Sequence, residues 1–268
     1  EMCGRDWSSD VCSSDLSLMH LIRNTIVILG LAAVAGSALA QEEEAATSFT
    51  YATYFYCDAA GQGRVDEIVK TQDAPVYDQM VKDGVITGWG WLAHHTGGKW
   101  RRILYYQAPT VDALLDAQDD MDKRFAALGD GGNEEFGKIC RSHDDYIWQA
   151  ESGSSGKGRG EAGFSVYYGC NQSKEERADE IMAKDFAPLL DKYVAEGKFM
   201  SWGWSSHWVG GEFRRLQTMT AKDHKSLLKA RGELIDEMYA EGSEAGAEFS
   251  EICGSHVDYM WNIQLETP

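Results

Sequence analysis

The sequence predicts an α+β protein built from two copies of one βαββαβ unit whose sheets pack face to face. Three observations carry this. The chain repeats itself: "YFYCDAA" around Cys57 returns as "YYGCNQS" around Cys170, "GWGWLAHHTGGKWRR" as "SWGWSSHWVGGEFRR", and "KICRSHDDYIW" as "EICGSHVDYMW", each 113 residues later with no gap. About thirty positions are identical in that register. Within each copy, aromatic and β-branched runs alternate with helical stripes in the order strand, helix, strand, strand, helix, strand. Finally, the strands are apolar on both faces, with Tyr51, Thr53 and Phe55 alternating with Tyr54 and Tyr56. An antiparallel sheet with one wet face would alternate apolar with polar. One face is therefore expected to meet the helices and the other the sheet of the second copy.

Each element follows from local pattern. "FTYATYFYC" has strand composition. Residues 64–82 read as a helix, and their counterpart places Ile181, Met182, Leu189, Leu190, Tyr193 and Val194 on one stripe. Pro75 and Pro188 interrupt both copies at the same place, so this helix starts late or kinks there. Gly84 and Gly197 are natural stops. "VITGWGWLAHH" and "KWRRILYYQA" form a hairpin through "TGG". Residues 110–128 read as a second helix with Asp112 and Asp116 in its early turns. Residues 136–140 open the last segment, and "DYIW" is its strand. This is the ferredoxin-like order, written twice. The repeats are expected at 47–149 and 164–268, with a linker over 150–163 from the composition of "ESGSSGKGRGEAG".

The first forty residues read differently. "DWSSDVCSSDL" back-translates to GAC TGG AGT TCA GAC GTG TGC TCT TCC GAT CTn, which resembles one reading frame of a sequencing adapter. Residues 1–18 are accordingly read as an artefactual extension and set apart from the fold. Residues 19–40 have the pattern of a secretory signal: basic residues, the short apolar run "IVILGLAAVAG", then small residues at Ala38 and Ala40. The run is short for a membrane span, so a periplasmic or secreted chain with no stable span after cleavage is expected. Setting residues 1–40 aside leaves 23 basic and 39 acidic side chains, a net charge of −16. Such a surface repels phosphate backbones and anionic lipid, which argues against a nucleic-acid partner.

Two βαββαβ units packed sheet to sheet in one chain resemble the dimeric α+β barrel superfamily, here as a pseudo-dimer. The resemblance covers nearly all of the chain after residue 40 and rests on element order. It implies a pseudo-dimeric α+β barrel with the two sheets packed face to face. It leaves function wide, since the superfamily includes cofactor-free monooxygenases, isomerases and haem enzymes. No cofactor is named by the sequence itself, and a haem ligand is implied by the resemblance alone.

Four cysteines remain after residue 40, and four allow three pairings. In the ferredoxin-like order the last strand lies antiparallel beside the first, so the end of one meets the start of the other. That order predicts Cys57–Cys140 and Cys170–Cys253, in keeping with export.

Three constellations recur in both copies. Trp89 and Trp91 with His94, and Trp202 and Trp204 with His207, place two indoles on one strand face. They line an aromatic cavity between the sheets or simply fill the core. Gly90 and Gly203 between them admit a close neighbour. Arg102 and Arg215, the second members of two arginine pairs, either bind an anion within the barrel or form ion pairs with Asp66, Glu67, Asp179 or Glu180. His143 with Asp145, and His256 with Asp258, share one face and form candidate general-base pairs or strand supports. No HxH or HExxH spacing points to a metal, and there is no P-loop, no GxSxG and no dinucleotide fingerprint. The expected function is binding of a small apolar or aromatic molecule between the sheets. The alternatives are an oxygenase, isomerase or haem enzyme of the α+β barrel type, and a structural or interaction role.

Overall fold

The computed structural model describes residues 48–129 and 133–267. Residues 1–40, read above as an adapter-like extension and a signal, lie outside the described residues. Strands β1 (Phe49–Cys57), β2 (Gly88–Gly97), β3 (Arg102–Ala108) and β4 (Cys140–Ser155) come from the first half. Strands β5 (Ala162–Gly169), β6 (Ser201–Val209), β7 (Arg215–Ala221) and β8 (Ser255–Glu266) come from the second. All eight close into one antiparallel barrel in the order β1-β3-β2-β8-β5-β7-β6-β4. The two four-stranded sheets therefore do more than face each other. They hydrogen-bond edge to edge at β2–β8 and at β4–β6, which removes every free edge.

The presumed linker is largely strand. β4 runs on to Ser155, and Gln149, Ala150 and 152–155 pair with 201–206 of β6. Gly and Ser composition signalled a loop, but pairing across the seam satisfies those backbone groups. Only 156–161 separate β4 from β5.

The helices lie outside the barrel. The first helical segment of each half is α1 (Gln62–Ile68) and α2 (Ala74–Lys82), repeated as α5 (Glu175–Ile181) and α6 (Ala187–Ala195). Between the members of each pair is one π-helical turn, at 69–73 and 182–186. Pro75 and Pro188 follow directly. Their missing N–H leaves a carbonyl one turn earlier without its helical donor, so the expected kink takes this form. Gly84 and Gly197 end the segments at φ of 74° and 69°. Helix α3 (Val111–Leu128) is capped by Thr110, whose hydroxyl accepts from Ala113 N–H at 3.1 Å. Its counterpart α7 (His224–Met238) is capped by Asp223. Short helices α4 (Asn133–Ile139) and α8 (Glu244–Ile252) precede the last strands, where the residue pattern marks only the start of a segment.

Among the described residues the core falls into three clusters. Two lie between sheet and helices, one per half, and the third fills part of the barrel interior. The disulfides Cys57–Cys140 and Cys170–Cys253 join the end of β1 to the start of β4, and β5 to β8, as the element order predicts. Two disulfides fit an oxidising compartment. No helix among the described residues is long and apolar enough to cross a membrane.

One difference between the halves has a measurable consequence. Phe186 in the second π-turn is 1% exposed, and the matching residue of the first half is Asp73. Burial pushes the Asp73 carboxyl up to about 7. The folded state thus holds a proton that the unfolded chain releases near pH 4, and stability falls as pH rises from about 4 to 7. Asp73→Asn is expected to stabilise the protein by about 1–4 kcal/mol at pH 8, from a shift of about three units worth 1.4 kcal/mol each at most. The gain vanishes below pH 4. Urea midpoints of both proteins at the two pH values test this.

Candidate functional site

Strand alternation fixes which residues enter the barrel. In β2, Trp89 and Trp91 point outward, beneath the helices. The Trp89 indole N–H donates to Asp78 of α2 at 2.9 Å, and that of Trp91 to Asp66 of α1 at 2.8 Å. The second half repeats this with Trp202 to Asp191 and Trp204 to Asp179, both at 2.8 Å. All four indoles are buried in the two sheet–helix cores. Asp66 also receives Arg102, through Nε and Nη2, each at 2.6 Å. Asp179 receives Arg215 in the same two-pronged way, and Arg215 has Glu175 as a second carboxylate at 2.9 Å. Arg102 and Arg215 are 5% and 4% exposed. Tryptophan, aspartate and arginine thus form one network that ties the first helix to the sheet. Burial without such partners would be costly for either charge.

His94 and His207 sit apart from that network. Arg101 and Arg214 approach their ring nitrogens at 2.9 Å. Desolvation, with the neighbouring guanidinium, pushes both imidazoles down. Each ring meets the aromatic pair of the opposite half edge-on: His94 against Tyr259 and Trp261, His207 against Tyr146 and Trp148. His143 Nδ1 lies 2.9 Å from the Asp145 carboxylate, half-exposed on the outer face of β4. His256 and Asp258 stand at 3.7 Å, and Asp258 also meets Arg231 at 3.3 Å. The structure therefore keeps each His–Asp pair together on the outer face of its strand, where one aromatic ring stands between the histidine and the outward tryptophan: Phe55 between His143 and Trp91, and Tyr168 between His256 and Trp204. Among the described residues no three metal-binding side chains converge.

The barrel interior belongs to residues that the first two constellations did not include. Tyr146 stacks on Trp148 at 4.9 Å and Tyr259 on Trp261 at 5.0 Å. Tyr54, Trp100 and Tyr167 join them. Their polar atoms are matched: Trp148 donates to the Tyr54 hydroxyl at 3.0 Å and Trp261 to Ser165 Oγ at 3.2 Å. The tyrosines also lock the opposite hairpins. Tyr259 Oη accepts the Lys99 N–H at 2.9 Å, and Tyr146 meets the backbone of Glu212 and Phe213. A Cβ on Gly98 or Gly211 would lie 2.1 or 2.4 Å from those hydroxyls, which explains the paired glycines of both hairpins. The alternation of "DYIW" placed Tyr and Trp on one face and could have marked them as the interior set.

This aromatic cluster fills one end of the barrel. The other end holds a cavity of about 580 Å³, within the roughly 300–1,000 Å³ typical of small-ligand sites. Trp148, Trp261 and Tyr54 form its floor, Leu92 and Leu216 part of its wall, and Ser155, Ser201 and Thr220 lie towards its mouth. Trp202 and Trp204 touch it only as strand neighbours of Gly203, since their indoles lie on the helix side. None of the four histidines singled out above borders it. Two charged groups do, Glu151 and Glu266. Glu266 accepts from the Tyr105 hydroxyl and pairs with Arg159 at 2.8 Å. Burial, with that carboxylate, holds the Tyr105 phenol well above its ordinary range.

A smaller cavity of about 250 Å³ lies between the second sheet and α7 and α8, bordered by His256, Arg231, Gln217 and Tyr168. It falls below the range for drug-sized ligands.

No protein-family model matches the chain, and no curated protein matches it. Solved structures do. A candidate monooxygenase from Lactobacillus acidophilus superposes with a TM-score of 0.54 at 6% identity, covering 82% of this chain and 96% of its own. A candidate monooxygenase from Fusobacterium nucleatum gives 0.54 at 10% identity, with 83% and 94% covered. An anthrone oxidase-like protein gives 0.51 at 13% identity, with 84% and 94% covered. These neighbours are dimeric α+β barrel proteins, and at such identities the likeness is one of fold. The class is therefore a closed eight-stranded α+β barrel, carried here by a single disulfide-bonded chain.

Proposed function

We propose that this protein binds a small apolar or aromatic molecule inside its barrel. The observation that carries this is the 580 Å³ cavity floored by Trp148, Trp261 and Tyr54. An evacuated space of this size in a duplicated fold forgoes packing that a larger side chain would supply. Its aromatic floor and hydroxyl-bearing mouth suit a flat molecule with one polar end. We infer further that the two halves are tandem ferredoxin-like units and that the chain is exported after loss of residues 19–40. Both inferences are supported by the internal repeat and the disulfides. Calorimetry and tryptophan fluorescence over a panel of small aromatic and aliphatic compounds are expected to give saturable binding with a change in emission from the floor. A flat response across the panel would overturn the proposal.

An oxygenase or isomerase working without a cofactor is the second reading. It draws on the descriptions of the fold neighbours and on the 2.9 Å contact of His143 with Asp145. For that reading His143 with Asp145 and His256 with Asp258 are the acid–base pairs. It requires turnover that disappears in the His143→Ala/His256→Ala protein while the fold persists.

A further inference from the structure

The two halves differ where the cavity lies, and the difference describes an occupant. In the first half, Tyr105 of β3 stands opposite Gly90 of β2. Its ring covers that glycine: a Cβ on Gly90 would be 2.5 Å from Tyr105 Cε1 and Cζ. Across the seam Gly90 pairs with Glu266, which accepts the Tyr105 hydroxyl. The second half has the same backbone in the same register. Gly203 stands opposite Thr218 and, across its own seam, opposite Gly153. Tyr105 is thus replaced by Thr218, and Glu266 by Gly153, at the 113-residue offset. Leu92 and Gln107 become Ser205 and Thr220 in the same way. Every replacement is smaller, and Gly153, Ser205, Thr218 and Thr220 border the cavity together with their larger counterparts Leu92, Tyr105, Gln107 and Glu266.

We infer that the cavity is a slot shaped for a single phenol-type ring, lying by Gly203 as the Tyr105 ring lies by Gly90. Glycine is retained at both positions, and a Cβ on Gly203 would lie 2.9 Å from Thr218 Oγ1. Thr218 is much smaller than Tyr105, so the space that the tyrosine ring fills in the first half is left for a ligand ring beside Thr218. The first half shows that this backbone accommodates a para-substituted phenol against a β-strand of the same register. Gly153 stands at the position equivalent to Glu266, so the far end of the ring opens towards the hydroxyls of Ser155, Ser201 and Thr220, while the two carboxylates that also border the cavity, Glu151 and Glu266, disfavour an anionic substituent. The ligand class is accordingly a monocyclic aromatic with a neutral polar substituent. This inference rests on the proposal that the barrel interior binds a small molecule, and it adds the shape and place of that molecule.

p-Cresol, which reproduces the tyrosine side chain, is the probe. Calorimetry on the intact protein is expected to show one saturable site. Thr218→Tyr restores the first-half arrangement, so it is expected to weaken p-cresol binding at least tenfold with an unchanged far-ultraviolet spectrum. In the unsubstituted protein, cross-relaxation from the p-cresol ring protons to the Thr218 methyl group is expected. That measurement decides the matter should Thr218→Tyr fail to fold. Unchanged affinity in Thr218→Tyr, or the absence of that cross-relaxation at saturating p-cresol, overturns the slot. If p-cresol does not bind but a larger apolar dye does, and Thr218→Tyr excludes the dye, barrel binding stands and the single-ring slot falls. If neither binds, both fall.

Discussion

Asp66→Ala is expected to destabilise the protein by about 3–5 kcal/mol, the cost of leaving a buried charge without its partner. Among the described residues Asp66 is the only carboxylate that meets Arg102, and it does so through both oxygens. The remaining side-chain partner of Arg102 is the neutral Gln62, at 2.8 Å. The same substitution also orphans the Trp91 indole N–H. Asp179→Ala removes the matching residue of the second half, yet Arg215 retains Glu175 at 2.9 Å. Its expected cost is roughly half as large, since one charged partner persists. Arg102→Met added to Asp66→Ala should recover part of the loss, because a buried ion pair replaced by apolar side chains of similar volume is often near neutral. Urea unfolding of the three proteins measures the order. Equal losses for Asp66→Ala and Asp179→Ala would show that the second carboxylate does nothing for Arg215.

This network also shows what could be read from the amino acids alone. The repeat, the element order and both cysteine pairs were legible, because identities at one constant offset report a duplicated fold. Strand alternation also told that Trp89 and Trp91 share a face. It could not tell which face, since period two has no sign. The missing information lay eleven and twenty-five residues earlier, in Asp78 and Asp66, which recur as Asp191 and Asp179. An indole retained together with a carboxylate on a preceding helix indicates a helix-facing tryptophan. The cavity was illegible for the opposite reason. It arises where the copies disagree, at Tyr105 against Thr218 and Glu266 against Gly153, and a reading weighted towards identities passes over such positions. Closure of the barrel was hidden too, because the pairings across the seams, β2–β8 and β4–β6, join residues from different copies and leave no local pattern.

Removal of the disulfides tests whether that closure makes the two halves one cooperative unit. Each bridge joins cysteines 83 residues apart, and the two loops do not overlap. The chain-entropy model assigns each about 4–5 kcal/mol, and measured losses for native bridges span about 2–5 kcal/mol. Cys57→Ala/Cys140→Ala is thus expected to lower the Tm by roughly 5–20 °C, at about 2–4 °C per kcal/mol for a chain of this size. If the halves were independent, only the first would melt earlier, and calorimetry would show two transitions. They are not independent in structure: β2 is paired to β8 over seven positions and β4 to β6 over eight, and Tyr259 and Tyr146 hold each other's hairpins. Melting one half would free the backbone groups of both seams and expose the aromatic interior of the other. A single transition, shifted as a whole, is therefore expected for either double variant, with the two shifts about equal because the loops have the same length. Two resolved transitions would mean that the seams are weaker than the cores they join.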